Sequence, residues 1–254
     1  MASSVDLPEP EAPTMATASP AVTLSSISRR MTRSLSPLLT VLPMPRALRI
    51  VFLLLSLFWS MCLGNAAIAA NGKTVLIYGD SLSAAYGMPE RRGWVALLEE
   101  RLKRERPDYS VANASISGET TAGGLARIAR VLERNRPAVV IVELGANDGL
   151  RGLPVAAMKN NLAGIIEQSK KAGAKVLLVG MRVPPNYGEA YAGAFERAFA
   201  ELARSHRTAL LPFLLEGFAE NTELFQADRI HPTEAAQPAV LRNVWSKLLP
   251  MLGK

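Results

Sequence analysis

The sequence predicts a three-layer α/β/α fold in which a parallel five-stranded sheet lies between two layers of helices. Short apolar runs alternate with helix-length segments from about residue 74 to the C-terminus. This alternation is typical of a parallel sheet with helices on both faces. Most of the apolar runs also lack a polar residue at every second position, as strands do when both faces of their sheet are covered.

Five short apolar runs are predicted to form the strands. They are Thr74–Tyr78, Tyr109–Ala112, Ala138–Val142, Lys175–Val179 and Thr208–Leu211. In parallel α/β sheets the ligand crevice lies beyond the carboxyl ends of the strands. We therefore expect the functional residues in the loops that directly follow these runs.

The segments between the strands show the periodicity of amphipathic helices. Helices are predicted around Trp94–Leu102, around Leu125–Leu132, over Val155–Lys171, over Glu189–Ser205, and after His231 with Val240, Val244 and Leu248 on the inner face. Pro107 and Pro137 follow the first two of these helices, and Gly173 follows the third. Proline and glycine at such positions are typical of helix ends.

The first 69 residues are not predicted to belong to this fold. Residues 1–43 are rich in Ser, Pro, Ala and Thr without sustained periodicity, which indicates a disordered or spurious extension. Residues 44–69 contain two arginines, an apolar run of 14 residues (50–63) and then small residues, which is the order of parts in a secretory signal peptide. The run is shorter than the ~20 residues of a membrane-spanning helix. A permanent membrane anchor is the alternative.

Cleavage after Ala69 would leave residues 70–254 as one domain, periplasmic or secreted, with no stable membrane span. The one cysteine of the chain, Cys62, lies in the predicted signal peptide, so this domain has neither a disulfide nor a thiol nucleophile. It contains two histidines and no cysteine, and therefore we expect no metal and no cofactor. Its 24 basic and 19 acidic residues give a net charge of +5. The basic residues of segment 101–106 are interleaved with Glu99, Glu100 and Glu105, which indicates a solvated helix face rather than a nucleic-acid interface.

Three short blocks contain the residue types of a serine hydrolase. Ser81 lies in YGDSLS, just after the first predicted strand, and Asp228 and His231 lie in DRIHP near the C-terminus. A serine hydroxyl is a weak nucleophile at neutral pH and needs a base such as histidine, which a carboxylate can orient. The third block, ELGANDGL, supplies Asn147, whose amide is an uncharged hydrogen-bond donor.

Other residues near these blocks are predicted to have structural roles. Ser83 is expected to cap or pack against a helix rather than act as the nucleophile. Asp148 directly follows Asn147 and is expected to order its loop, while Asp80 is expected to fix the nucleophile loop through backbone hydrogen bonds. His206 lies at the end of a predicted helix, where histidine commonly interacts with the helix dipole.

The context of these blocks resembles the SGNH (GDSL) hydrolase family, and within it the bacterial periplasmic acyl esterases. The similarity runs from about residue 74 to the end of the last helix and includes NASISGET, which contains Gly118. The resemblance implies a flavodoxin-like fold and a catalytic triad of Ser81, His231 and Asp228. It also implies an oxyanion hole formed by the backbone N–H groups of Ser81 and Gly118 and the amide of Asn147. The block G-D-S-L-S departs from G-x-S-x-G, which argues against the α/β-hydrolase fold proper.

The resemblance implies a serine hydrolase that acts on acyl esters and acyl thioesters through an acyl-enzyme. Its expected substrates are small molecules: aryl esters, acyl-CoA thioesters and, as a further candidate, lysophospholipids. A carbohydrate O-deacetylase with the same site is the alternative enzyme, and an inactive flavodoxin-like binding module is the non-enzymatic one. The presence of all five site residues argues against the binding module. We expect no nucleic-acid partner and a monomeric protein.

Four apolar residues are predicted to contact the acyl chain: Leu150, Leu153, Pro185 and Tyr187. Glycines at 149 and 152 free the backbone around the two leucines, while Pro154 limits movement at the far end. The segment could therefore act as a mobile cover over the substrate. The alternative is an ordinary surface loop whose leucines pack against the core.

Overall fold

Five parallel strands form the central sheet of the computed structural model, which describes residues 73–253. They are β1 (Lys73–Gly79), β2 (Tyr109–Asn113), β3 (Val139–Glu143), β4 (Lys175–Val179) and β5 (Ala209–Leu211). Their spatial order is β2-β1-β3-β4-β5, and each neighbouring pair is parallel. The predicted α/β fold with a parallel five-stranded sheet is confirmed. The predicted extension (1–43) and signal peptide (44–69) lie outside the described residues.

Six α-helices lie within this range. They are α1 (Trp94–Glu105), α2 (Thr121–Asn135), α3 (Ala146–Leu150), α4 (Val155–Lys171), α5 (Glu189–Ser205) and α6 (Gln237–Leu248). Helix α1 packs against α6, while α4 packs against both α2 and α5. The chain moves from β1 to β2 in one direction and from β2 through β5 in the other, so right-handed crossovers place α1 on the opposite face from α2, α4 and α5.

Short 3₁₀ segments complete the connections at Glu90–Arg92, Pro185–Tyr187, Thr222–Leu224, Glu234–Ala236 and Leu249–Met251. No helix between residues 73 and 253 combines the length and apolar character needed to span a bilayer.

The core consists mainly of the strands and the inner faces of the helices. All five residues of β3 are buried, as are the last five of β1. Trp94, Phe195 and Phe199 are among the largest fully buried side chains. Several of the buried polar residues, by contrast, lie at or just beyond the carboxyl edge of the sheet, including Asp80, Glu143 and Asp148. Because buried polar groups need hydrogen-bond partners, we expect a network of side-chain hydrogen bonds at this edge.

The two ends of the described chain meet at the opposite, amino edge of the sheet. Lys73 begins β1. The backbone N–H of Gly253 donates a hydrogen bond to the hydroxyl of Tyr109, the first residue of β2, at 3.0 Å. The guanidinium group of Arg106 donates to the carbonyl oxygen of Leu252 at 3.5 Å. Neither Lys73 nor Gly253, the first and last residues described, therefore lies at the carboxyl edge.

Candidate active site

Ser81 lies in a tight turn directly after β1. The carbonyl oxygen of Asp80 accepts hydrogen bonds from the backbone N–H groups of Ser83 and Ala84, at 3.2 and 3.0 Å. One carboxyl oxygen of Asp80 accepts from the N–H of Leu82 at 3.0 Å. A Cβ atom at Gly79 would lie 2.6 Å from the Glu143 carboxyl group. The turn therefore requires glycine two residues before Ser81, which explains the G-D-S order.

The structure brings the three predicted catalytic residues together. The Oγ atom of Ser81 lies 2.8 Å from Nε2 of His231. The Nδ1 atom of the same ring lies 2.7 Å from Oδ2 of Asp228. Each ring nitrogen thus has one partner, a hydroxyl on one side and a carboxyl group on the other. This is the arrangement in which histidine can accept a proton from serine while a carboxylate orients the ring.

Asp228 is held in its charged form by the loop that contains it. Its Oδ1 atom accepts hydrogen bonds from the backbone N–H groups of Ile230 at 2.9 Å and His231 at 3.0 Å. Burial opposes ionisation, but these two N–H groups and the His231 ring outweigh it and lower the pKa of Asp228 to about 2. Asp228 is therefore a carboxylate at neutral pH, able to stabilise an imidazolium.

Gln226 links the His231 loop to the segment after the nucleophile. Its backbone N–H donates to the carbonyl oxygen of His231 at 2.8 Å. Its side-chain amide donates to the carbonyl oxygens of Tyr86 and Pro232, at 2.8 and 3.2 Å. The ring centroid of Tyr86 lies 4.3 Å from that of His231. Gly87 has a φ of +73°, a conformation that favours glycine.

The predicted oxyanion-hole residues border one cavity together with Ser81. This cavity has a volume of about 680 Å³, and both Gly118 and Asn147 line it. Gly118 has a φ of +79°, which glycine adopts without strain. The Asn147 amide donates to Oδ2 of Asp80 at 3.0 Å. Since an amide carries two N–H hydrogens, this bond orients the group and leaves the second hydrogen for a ligand.

Two carboxyl groups are buried behind the nucleophile. The backbone N–H of Asp80 points to Oε2 of Glu143 at 3.4 Å, and the Ser83 hydroxyl donates to the same oxygen at 2.6 Å. Burial raises the pKa of Asp80 to about 6. Burial and the nearby Asp80 carboxyl group raise the pKa of Glu143 well above its usual range. Both shifts oppose ionisation of the pair, because two adjacent buried carboxylates repel each other.

Asp148 orders the segment that contains Asn147. Its carboxyl oxygens accept hydrogen bonds from the backbone N–H of Thr121 at 2.8 Å and from the Thr121 hydroxyl at 2.5 Å. Thr121 is the first residue of α2, so Asp148 joins α3 to the N-terminus of α2, where a negative charge is favourable. His206, the other histidine, lies at the C-terminal end of α5, away from the triad loops in sequence.

The wall of the cavity is largely apolar. It is lined by Leu150, Met181, Val183, Pro184, Phe213, Leu215 and Phe225, with Arg182, Glu220 and Arg229 among its charged residues. Most of these apolar residues follow β4 and β5 directly, at the carboxyl edge where ligands are expected to bind.

The four residues predicted to contact an acyl chain occupy different positions. Leu150 lines the cavity, whereas Leu153 and Tyr187 do not. The Tyr187 hydroxyl donates to the carbonyl oxygen of Leu150 at 2.7 Å, so Tyr187 stabilises the backbone at the end of α3. Leu153 is 37% exposed, and Pro185 begins the 3₁₀ segment that Tyr187 ends.

Sequence reasoning missed Tyr86, Gln226 and Glu143 as parts of the site. A single tyrosine or glutamine in a loop has no pattern that marks it. Glu143, however, is an acidic residue at the end of an otherwise apolar strand, which is a signal for a buried carboxyl group. Among residues 73–253, no cluster of three or more His, Cys, Asp or Glu side chains is arranged to hold a metal ion.

Comparisons with known proteins agree with this geometry. The sequence model of the GDSL-like lipase/acylhydrolase family matches residues 77–238. The chain is 51% identical over 183 residues to the esterase TesA of Pseudomonas aeruginosa, covering 72% of this chain and 91% of that protein. It is 41% identical over 185 residues to the thioesterase 1/protease 1/lysophospholipase L1 of Escherichia coli K12, covering 73% and 88%. A crystal structure of TesA superposes with a TM-score of 0.69 at 52% identity, covering 71% of this chain and all of that one.

Proposed function

Because the chain belongs to the GDSL-like lipase/acylhydrolase family and is an ester-hydrolysing enzyme, we propose that it works through an acyl-enzyme formed on Ser81. One observation carries this proposal: the continuous relay from the Ser81 hydroxyl through His231 to Asp228, with distances of 2.8 and 2.7 Å. The same relay fits esters and thioesters, since in both the attacked atom is a carbonyl carbon. The similarity to an esterase and to a thioesterase supports both substrate classes.

In the first half of the reaction, Ser81 Oγ attacks the carbonyl carbon while His231 Nε2 takes the hydroxyl proton. The carbonyl π electrons move to oxygen and form a tetrahedral oxyanion. When this intermediate collapses, the bond to the leaving oxygen or sulfur breaks, and His231 returns the proton to that atom. In the second half, water attacks the acyl-enzyme in the same way, His231 takes its proton and passes it to Ser81, and the carboxylic acid is released.

We assign the oxyanion to the backbone N–H groups of Ser81 and Gly118 and the side-chain amide of Asn147. Donors that are oriented before the reaction stabilise developing charge most effectively, because they need no reorganisation. The bond from Asn147 to Asp80 at 3.0 Å provides that orientation. It also explains why an aspartate precedes the nucleophile.

The acyl chain is proposed to lie along the apolar wall that contains Met181, Val183, Phe213 and Phe225, with Leu150 near the oxyanion hole. Burying each methylene group contributes about 0.8 kcal/mol. This wall favours an acyl esterase over the alternative carbohydrate O-deacetylase, whose sugar would need polar partners there. Lysophospholipids, which have a single acyl chain, fit the same site.

We also propose that residues 44–69 are a signal peptide and that the periplasmic or secreted enzyme begins near Ala70 as a monomer. The whole crystallised chain of TesA corresponds to 71% of this chain. This supports a domain that folds without the residues that precede it. Mass measurement of the exported protein tests the cleavage site, and a chain that retains Cys62 would contradict it.

A fluorophosphonate probe tests the nucleophile directly. We expect one covalent adduct on Ser81 in the wild-type protein, and none in Ser81→Ala or His231→Ala. Ser117 also lines the cavity and provides a matched control, because Ser117→Ala should still be labelled on Ser81. An adduct on Ser117, or ester turnover by Ser81→Ala, would refute the mechanism.

A further inference from the structure

Exposed apolar side chains are concentrated around the active site. Within residues 73–253, the exposed large hydrophobic residues are Tyr86 (49%), Ile116 (49%), Leu153 (37%), Ile230 (43%) and Leu249 (42%). The first four follow β1, β2, β3 and β5 respectively, one in each loop, and only Leu249 lies elsewhere, in the 3₁₀ segment after α6. Singly scattered apolar residues are normal on a protein surface. Four at one edge of a sheet indicate an interaction site.

These four residues are here called the apolar rim. Tyr86 and Ile230 line the catalytic cavity. Ile116 precedes the lining residue Ser117, and Leu153 follows Leu150, another lining residue, by three positions. A surface that covered the rim would therefore face the mouth of the cavity.

The backbone holds every rim residue in place. The N–H groups of Tyr86, Ile116 and Leu153 donate to the carbonyl oxygens of Ser81, Gly79 and Asp148, at 3.2, 3.0 and 2.9 Å. The N–H of Ile230 donates to the Asp228 carboxylate at 2.9 Å. The same turns that position the catalytic groups thus present the apolar side chains to solvent.

Arginines lie beside the rim. Arg229, which lies between Asp228 and His231 in the sequence, lines the cavity. Arg151 donates to the carbonyl oxygen of Gly118 at 3.0 Å. Neither forms an ion pair within the described part of the chain, whereas Arg182 pairs with Glu196. Arg229 also has a φ of +58°, a conformation that is strained for a residue with a Cβ atom.

We propose that the apolar rim docks the enzyme onto an anionic lipid–water interface, with the cavity mouth facing the lipid. Apolar side chains enter the headgroup region of such an interface, and arginines beside them are attracted by its negative charge. An acyl chain can then move from the lipid into the cavity without crossing water. This inference rests on the proposed function, since it identifies aggregated lipid as the physical form in which the site meets acyl substrates.

Sedimentation with lipid vesicles tests the inference. The protein is residues 70–254 with Ser81→Ala, so that no lipid is hydrolysed, and the vesicles contain either phosphatidylglycerol or phosphatidylcholine. We expect binding to phosphatidylglycerol that weakens with added salt. Ile116→Ser should reduce the partition coefficient about tenfold, the order expected for transferring one aliphatic side chain. Leu249→Ser is the matched control, because it removes a similarly exposed side chain outside the rim, and it should change nothing.

Three results would overturn the inference. The first is no binding to phosphatidylglycerol vesicles at low salt. The second is equal weakening by Leu249→Ser and Ile116→Ser. The third is concentration-dependent self-association that Ile116→Ser abolishes, since the rim would then be an interface between copies of the protein.

Activity measurements separate this inference from the proposed function. With Ser81 intact, Ile116→Ser should hydrolyse the soluble ester p-nitrophenyl butyrate at the wild-type rate but act several-fold more slowly on micellar lysophospholipid. An equal rate on micelles would contradict docking while leaving the esterase mechanism intact. A wild-type protein inactive on every p-nitrophenyl ester would instead contradict the mechanism. The docking inference would still be tested, because the sedimentation experiment uses the Ser81→Ala variant and needs no activity.

Discussion

Replacing Asp148 by alanine should destabilise the protein strongly and slow catalysis through the position of Asn147. Asp148 is 3% exposed, and its two carboxyl oxygens accept from the backbone N–H and the hydroxyl of Thr121, at 2.8 and 2.5 Å. Hydrogen bonds to a charged group contribute about 1.5–3 kcal/mol each. Their joint loss, with a buried N–H left unsatisfied, should lower the free energy of unfolding by about 3 kcal/mol or more.

A domain of this size changes its melting temperature by about 2–4 °C per kcal/mol. The expected decrease in Tm for Asp148→Ala is therefore about 6–12 °C, measurable by calorimetry or urea unfolding. Asp148→Asn is the matched control. Its amide oxygen can still accept one of the two bonds, so its stability should lie between those of the wild type and the alanine variant.

Kinetics distinguish this anchoring role from a catalytic one. Asp148→Ala should lower kcat, measured well below its own Tm, far less than Ser81→Ala does, because Asp148 touches α2 rather than His231. Wild-type stability in Asp148→Ala would refute the energetic argument. A fully stable variant as inactive as Ser81→Ala would instead place Asp148 in the catalytic machinery.

Four further predictions follow from the geometry of the site. Ser81→Ala and His231→Ala should each lower kcat for p-nitrophenyl butyrate by about 10⁴-fold or more with unchanged circular dichroism, and a small loss would refute the triad. Asn147→Ala should lower kcat by roughly 10²–10³-fold with little change in KM; a rise in KM alone would make it a substrate-binding residue. Leu150→Ser should reduce kcat/KM on long p-nitrophenyl esters more than on the acetate, whereas equal losses would exclude it from the acyl site. Asp228 has a folded-state pKa of about 2 against an ordinary 3.8, so the stability that its charge contributes is complete above about pH 4 and is lost as the pH falls through 2. The difference in unfolding free energy between wild type and Asp228→Asn should therefore shrink over that pH range. A constant difference would show that the charge contributes nothing.

The helices that could be predicted most accurately from the sequence are those defined by their own periodicity. Helices α4 and α5 have the predicted bounds, Val155–Lys171 and Glu189–Ser205. Helix α3 (Ala146–Leu150) was predicted as a loop. Its residues, A-N-D-G-L, include three with weak helix propensity, and its position depends on the contact between Asp148 and Thr121. No local pattern reveals such a tertiary contact.

In the candidate site, too, residues with a local sequence pattern could be predicted and residues placed by tertiary contacts could not. Ser81, Asn147, Asp228 and His231 could be identified because each lies in a short block at a predictable place in the chain, and Gly118 was implied by the family resemblance of NASISGET. The apolar wall could not be identified in detail, because it combines residues that follow β4 with residues that follow β5. The prediction that Tyr187 contacts the acyl chain stays a prediction. Its hydroxyl donates to the carbonyl oxygen of Leu150, and the pairing of a lone tyrosine with a distant backbone carbonyl cannot be read from sequence.

The hydrogen bond between Gly253 and Tyr109 at the amino edge has a practical consequence for engineering. In a variant shortened to residues 73–253, which would begin at Lys73 in β1 and end beside the start of β2, a short linker could join the two ends without crossing the catalytic edge. Neighbouring termini are the condition under which circular permutation succeeds. For the same reason, an affinity tag or resin attached to either end of that shortened variant would hold it at the amino edge of the sheet. The immobilised catalyst would present its cavity outward, uniformly oriented toward dissolved or aggregated substrate.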